Sequence, residues 1–209
     1  MDLFETMENC RAMRRLKPDP VPDHLIARIL QAGTCAPSGG NAQTWRFLVV
    51  KDRKIKEAVA VWYKKAYDEI IGPRYSTVAP PPGVSPEKFK RQHDAVHYLT
   101  DHFAEAPVWI VACLQSATNP PGPGAGASIY PAVQNMVLAC RALGLGTTLT
   151  NRHMFYQKEV DAALGLPEGV ISFAILPIGY PMGKFGPVKR APLDAVVYQD
   201  KWGAPYRAA

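Results

Sequence analysis

The sequence lacks the marks of several protein classes. No apolar run approaches the roughly 20 residues of a membrane-spanning helix, so no bilayer span is expected. No block of five or more Lys and Arg occurs, and no aromatic-basic interleaving, so no nucleic-acid tract is expected either. Met1 leads into Asp-Leu-Phe-Glu without a basic or apolar leader region, which argues against a secretory signal. Only four cysteines are present, Cys10, Cys35, Cys113 and Cys140, with no CxxC spacing. Three lie in apolar stretches, and buried thiols in a reducing cytoplasm are the expectation. Among the histidines, His24, His93, His97, His102 and His153, no HExxH pattern appears. His93 and His97 share a helix face, but no cysteine or carboxylate sits at zinc spacing, so surface histidines and no metal site are expected. The absence of a GxSxG elbow leaves hydrolase chemistry unsupported.

What remains is an ordinary globular composition. The 209 residues are 47% apolar and 20% charged, enough for one domain with a sizeable core. The net charge of +6 is spread out rather than clustered. It fits a solvated surface with a few cations to spare for an anionic small molecule.

Leu3, Phe4, Met7, Cys10, Arg11 and Arg14 recur at helical spacing and predict a helix over 1–17. The prolines between Lys17 and Pro22 break it, and Pro22 suits the first turn of the next helix. A loop over 33–44, a strand over 45–50 and a helix over 54–71 follow. The proline-rich stretch 72–86 reads as a loop or lid that packs little, and 87–104 as a helix. Val108–Leu114 is a continuous apolar run, typical of a buried strand. A Pro/Gly loop over 119–126 precedes a buried helix from Ile129 to Leu143, stopped at Gly144. Beyond it come a short strand over 147–150, a helix over 159–164, a strand over 170–178 and a last strand over 192–198. The tail over 199–209 is expected to be extended. No repeat or linker interrupts this order. It fits one α+β domain over 1–209, a mixed β-sheet sandwiched by helices.

Two glycine clusters invite comparison with a dinucleotide fingerprint. Gly144-Leu-Gly146 follows a helix and precedes a strand, the reverse of the required order, and a helix cap explains it better. Gly122-Pro-Gly124-Ala-Gly126 has the wrong spacing, and Pro120, Pro121 and Pro123 lack the N–H groups that cradle phosphate. Three other segments carry more. On a helix, Arg11, Arg14 and Arg15 would share a face, and their repulsion would be relieved by an anion. Ser38-Gly39-Gly40-Asn41-Ala-Gln43 allows close backbone approach and offers amide donors and acceptors. Lys189 and Arg190 add cations near the C-terminus.

In order, four stretches resemble the FMN-dependent nitroreductase superfamily. They are Arg11-Ala12-Met-Arg14-Arg15, Pro-Ser38-Gly39-Gly-Asn41-Ala-Gln43-Thr-Trp45, Gln134-Asn-Met with Gly144-Leu-Gly146-Thr-Thr-Leu149-Thr150, and Pro177-Ile-Gly-Tyr-Pro181 with Lys189-Arg190. The Pro-Ser-Gly-Gly-Asn-x-Gln stretch is the specific one. The resemblance implies a nitroreductase-like fold and an intertwined homodimer with FMN at the interface. It places Arg11, Arg14 and Arg190 on the FMN phosphate, with Ala12, Arg15 and Lys189 adjoining. Ser38 and Gly39 would reach the ribityl-phosphate from the neighbouring chain. Leu149 and Thr150 would lie beside the flavin, Thr150 as a donor towards N5, with Asn41 and Gln43 as further contacts. Cys10 and Ala12 stand where many members have a basic residue and a serine. Gln43-Thr-Trp45 replaces the family's Gln-Pro-Trp.

The implied activity is ping-pong electron transfer from NADH or NADPH through FMN to a small organic acceptor such as a nitroaromatic or quinone. The cofactor carries the chemistry, and no protein side chain is demanded as acid or base. Phe89, His93 and Tyr98 are candidates to line the acceptor site. The alternatives are a specialised reductase of the same superfamily (dehalogenation, enone reduction or flavin breakdown) and a flavin-sequestering protein without turnover.

Overall fold

The computed structural model of the chain describes residues 2–81, 83–115, 122 and 124–206. Helix α1 (Leu3–Glu8) starts where the Asp2 side chain accepts the Glu5 N–H at 2.8 Å. Helix α2 (Asp23–Thr34) begins directly after Pro22. Strand β1 (Trp45–Val50) leads to α3 (Arg53–Ala66), whose first turn donates to the Asp52 carboxylate at 2.7 and 3.2 Å. A π-helical turn, Tyr67–Ile71, passes into α4 (Gly72–Thr77), and α5 (Pro86–Asp101) follows. Strand β2 (Val108–Gln115), helix α6 (Ala125–Ala142), strand β3 (Gly146–Thr147), helix α7 (Gln157–Ala163) and strand β4 (Val170–Gly179) come next along the chain.

The strands form one sheet in the order β1-β2-β4-β3, with every pairing antiparallel. Strand β2 is apolar from Val108 to Leu114 because both of its faces are covered there. Val108, Ile110, Ala112 and Leu114 face α2 and α6, meeting Ile29 and Met136. Trp109, Val111 and Cys113 face the other way, onto Val59 and Tyr63 of α3 and Val160 of α7. The chain adopts the expected α+β sandwich of a sheet between helices, with the sheet antiparallel among the described residues rather than mixed.

Several local expectations are corrected. The helix predicted over 1–17 ends at Glu8, and residues 10–17 run extended. Their backbone is claimed by the sheet: the Met13 N–H donates to Thr147 O at 2.9 Å, the Lys17 N–H to Tyr180 O at 2.8 Å, and Leu16 bridges Pro181. Tertiary pairing overrides the helical spacing. Gly146 makes room for this crossing. A Cβ there would meet Leu16 Cδ2 at 2.8 Å and Met13 Cβ at 3.0 Å.

The stretch 72–86 is not all loop. Pro73 sits in the first turn of α4, where its missing N–H costs nothing, and Tyr75 packs on His93 with ring centroids 3.8 Å apart. Of the loop expected over 119–126, residues 119–121 and 123 lie outside the described residues, and α6 already includes Ala125 and Gly126. Of the strand predicted over 147–150 only Gly146–Thr147 is continuous, with an isolated bridge from Thr150 to Ile175. The last strand predicted over 192–198 is instead a 3-10 turn, Leu193–Ala195. The tail is not extended: Asp200 and Gly203 both have positive φ, and Tyr198 bridges back to Pro205. Of the cysteines, Cys113 and Cys140 are buried, Cys10 is half-buried and Cys35 is exposed. His153 is fully buried, against the expectation of a surface residue.

Candidate functional site

The two ends of the chain are tied together by backbone hydrogen bonds. The Val188 N–H donates to Glu8 O at 2.8 Å, and the Met182 N–H to Arg15 O at 3.0 Å. This brings Arg11, Ala12 and Arg14 together with Lys189 and Arg190 around one cavity of about 820 Å³. The predicted arginine cluster therefore exists, but on an extended segment rather than a helix face. Met13 turns into the core, while Arg11, Ala12 and Arg14 line the cavity. Cys10 also lines the cavity, and its Sγ lies 3.9 Å from Val137 O. Burial raises the Cys10 thiol from its ordinary value, more than nearby Arg141 lowers it.

Helix α5 supplies a further wall. Lys88, Phe89, Arg91, Gln92 and His93 line the same space, with Tyr75 from α4. Phe89 and His93 meet edge to face, their planes 61° apart and their centroids 4.0 Å apart. His93 Nε2 is buried without a hydrogen-bond partner among the described residues. Lys88 and Arg91 were not foreseen. Their i, i+3 spacing with Phe89 and Gln92 on one helix was the available signal. Tyr98, a candidate for this wall, is absent from it. Its ring lies beneath the Arg15 guanidinium, 4.4 Å from centroid to Cζ. Arg15 is accordingly turned away from the cavity that Arg11 and Arg14 line.

Among the described residues no Asp or Glu lines the cavity, and no ion pair involves Arg11, Arg14, Lys189 or Arg190. Burial pushes Arg14 down from its ordinary value. Tyr75 and Tyr63 oppose this, and repulsion from Arg152 and Arg11 adds to it. A guanidinium nonetheless stays charged at any physiological pH. Clustered cations without internal carboxylates fit a bound polyanion such as a phosphate ester, which guanidinium forks hold bidentately.

The Ser38 loop stands apart from this cavity. Gly39 N–H donates to Ser128 Oγ at 3.2 Å, at the start of α6, and Gln43 N–H donates to Ser38 Oγ at 2.9 Å. Asn41 and Gln43 have φ of 53° and 51°. Two non-glycine residues in the left-handed region mark a strained loop, a recurrent property of ligand-binding segments. Leu149 is 42% exposed. Thr150 is half-buried, its Oγ1 held 3.0 Å from the Tyr63 hydroxyl.

With this geometry established, comparison with known proteins gives a family. Residues 8–180 match the Nitroreductase family, and the chain belongs to it. The NADH dehydrogenase of Thermus thermophilus is 30% identical over 203 residues, covering 90% of either protein. The iodotyrosine deiodinase of Thermotoga neapolitana is 26% identical over 185 residues, 86% of this chain and 88% of that protein. Among solved structures, a nitroreductase with bound FMN from Bacteroides fragilis superposes with a TM-score of 0.69 at 22% identity, over 96% of this chain and all of that one, 100%.

Proposed function

We propose that this chain is an FMN-dependent oxidoreductase, passing electrons from NADH or NADPH to a small organic acceptor such as a nitroaromatic or quinone. The observation that carries the reading is the carboxylate-free cavity where Arg11 and Arg14 meet Lys189 and Arg190. Arg11, Arg14 and Arg190 would hold the FMN phosphate, with Lys189 adding charge and Ala12 lying alongside. When bound, FMN supplies the hydride-accepting and hydride-donating centre. The chain's own part is to bind, orient and exclude water. Thr150 and Leu149 would flank the ring system, with the Thr150 hydroxyl fixed by Tyr63.

The working unit under this proposal is a homodimer. Ser38 and Gly39, together with Asn41 and Gln43, lie off the arginine cavity and would serve the FMN site of a second copy. Leu3, Phe4 and Met7 of α1 are 58%, 74% and 45% exposed, an apolar surface that a second chain would cover. The four cysteines are free thiols, in keeping with a reducing cytoplasm.

The test is direct. Purified protein should be yellow, dimeric by analytical ultracentrifugation and bleached by NADH or NADPH. Its reoxidation against nitroaromatics, quinones, enones and halophenols then names the acceptor. Bleaching followed by reoxidation only with halophenols would shift the reading to reductive dehalogenation, the reaction named in the Thermotoga neapolitana relative. Protein that cannot take up FMN would overturn the proposal.

A further inference from the structure

The cavity holds more positive charge than one phosphate needs. Six cationic side chains line it, Arg11, Arg14, Lys88, Arg91, Lys189 and Arg190. A phosphate monoester carries up to ~2 negative charges at neutral pH. The four cations from the chain ends match it with charge to spare. Lys88 and Arg91 come from a separate element, α5, and neither forms an ion pair or donates a side-chain hydrogen bond among the described residues. Like charges gathered in a partly enclosed space repel, and they are stabilised by an anion that bridges them.

What lies beside these two cations indicates the anion's shape. Phe89 is adjacent in sequence to Lys88, and its ring meets His93 at 4.0 Å. Tyr75 stacks on the same imidazole at 3.8 Å. One polar atom of this wall, His93 Nε2, is buried without a partner among the described residues. An aromatic wall beside two unpaired cations suits a flat ring that carries a negative group.

We infer that the acceptor is an aromatic molecule bearing a carboxylate or comparable anionic group, drawn to Lys88 and Arg91 and packed on the Phe89–His93–Tyr75 wall. This inference rests on the flavin reading of the same cavity. The other source of an anion is the electron donor, through the 2′-phosphate that distinguishes NADPH from NADH.

The experiment compares 4-nitrobenzoate with 4-nitrobenzamide, titrated into the FMN-loaded protein and into its Lys88→Gln/Arg91→Gln variant. Binding is read from perturbation of the flavin absorbance. The wild type should bind the benzoate about tenfold more tightly, the scale of one charge-assisted hydrogen bond. The double variant should bind both alike, with its melting temperature, its FMN affinity and its ratio of NADPH to NADH usage unchanged. Equal affinities in the wild type, or a preference that survives in the variant, would overturn the inference. So would a variant changed only in its NADPH-to-NADH ratio, which moves the two cations to the donor. Loss of FMN affinity would instead assign them to the phosphate. Should the protein never take up FMN, the flavin reading fails by itself, and calorimetric titration of the same two ligands into the flavin-free chain decides the anion site separately.

Discussion

The hydroxyls of Tyr63 and Thr150 lie 3.0 Å apart, although 87 positions separate the two residues in sequence. Tyr63 is fully buried, its ring stacked on Phe103 at 3.8 Å and the Arg152 guanidinium 4.3 Å from its centroid. The tyrosine cannot drift, so it fixes the threonine. Tyr63→Phe removes the bond while leaving the ring. Stability should fall by about 1 kcal/mol, the net worth of an intramolecular hydrogen bond, as read from urea unfolding. Thr150→Val should then change the flavin midpoint potential of the loaded protein. An unchanged potential would take Thr150 out of the flavin's surroundings.

The arginines divide by where they point. Arg11 and Arg190 line the cavity, whereas Arg15 lies over Tyr98. Arg11→Ala or Arg190→Ala should each weaken FMN binding by about 1.5–3 kcal/mol, the range for hydrogen bonds to charged groups. Arg15→Ala should leave FMN affinity as it is. Fluorescence titration of FMN into the three variants makes the comparison, and equal losses in all three would undo the division.

This division was half legible in the sequence. The residues that collect charge, Arg11, Arg14, Lys189 and Arg190, were legible through the order of motifs that resembles the nitroreductase superfamily, because a cation's charge does not depend on backbone shape. Their geometry was not, since the spacing of Leu3, Phe4 and Met7 continues into Arg11 and Arg14 as a helix would. Only the long-range bonds from Met13 to Thr147 and from Lys17 to Tyr180 straighten the segment. Strand β2 was readable to within a residue because burial on two faces leaves a continuous apolar run. Helix α4 was hidden by Pro73 and the prolines that follow it, although Pro73 falls where a helix tolerates one. Lys88 and Arg91 looked like ordinary solvated charges until Tyr75 and the arginine segment closed round them.

His153 gives the fold a pH dependence. Both ring nitrogens are buried without a partner among the described residues. Burial lowers the imidazole from its ordinary 6.5 to about 4, outweighing the nearby Ser172 backbone. A histidine depressed in the folded state is charged earlier in the unfolded chain. The unfolded state therefore binds more protons between these values, and stability is lost as pH falls from about 6.5 towards 4. The full loss from this group is roughly 3 kcal/mol. Chemical denaturation at pH 7 and pH 4.5 should show the decline. His153→Gln should flatten it in that window, even if it lowers stability at pH 7.

Gly146 links the fold to the site. It is buried in β3, where the arginine-bearing segment crosses, and a methyl group there would sit 2.8 Å from Leu16 Cδ2, 3.0 Å from Met13 Cβ and 3.1 Å from Pro181 Cβ. The Leu16 side chain can turn aside, but Met13 Cβ is fixed to the backbone and cannot move alone. Gly146→Ala must therefore push residues 13–16 away from β3 and lengthen the bond from Met13 N–H to Thr147 O. Overpacking of this kind costs about 1–3 kcal/mol. Because Arg14 lies in the displaced segment and Arg11 just before it, FMN affinity should fall as well, although Gly146 is not among the residues lining the cavity. The control is Gly183→Ala, whose Cβ would meet only Met13 Cε, at an ordinary 3.8 Å. A Gly146→Ala protein with reduced melting temperature and unchanged FMN affinity would show that the arginines do not depend on the crossing for their position.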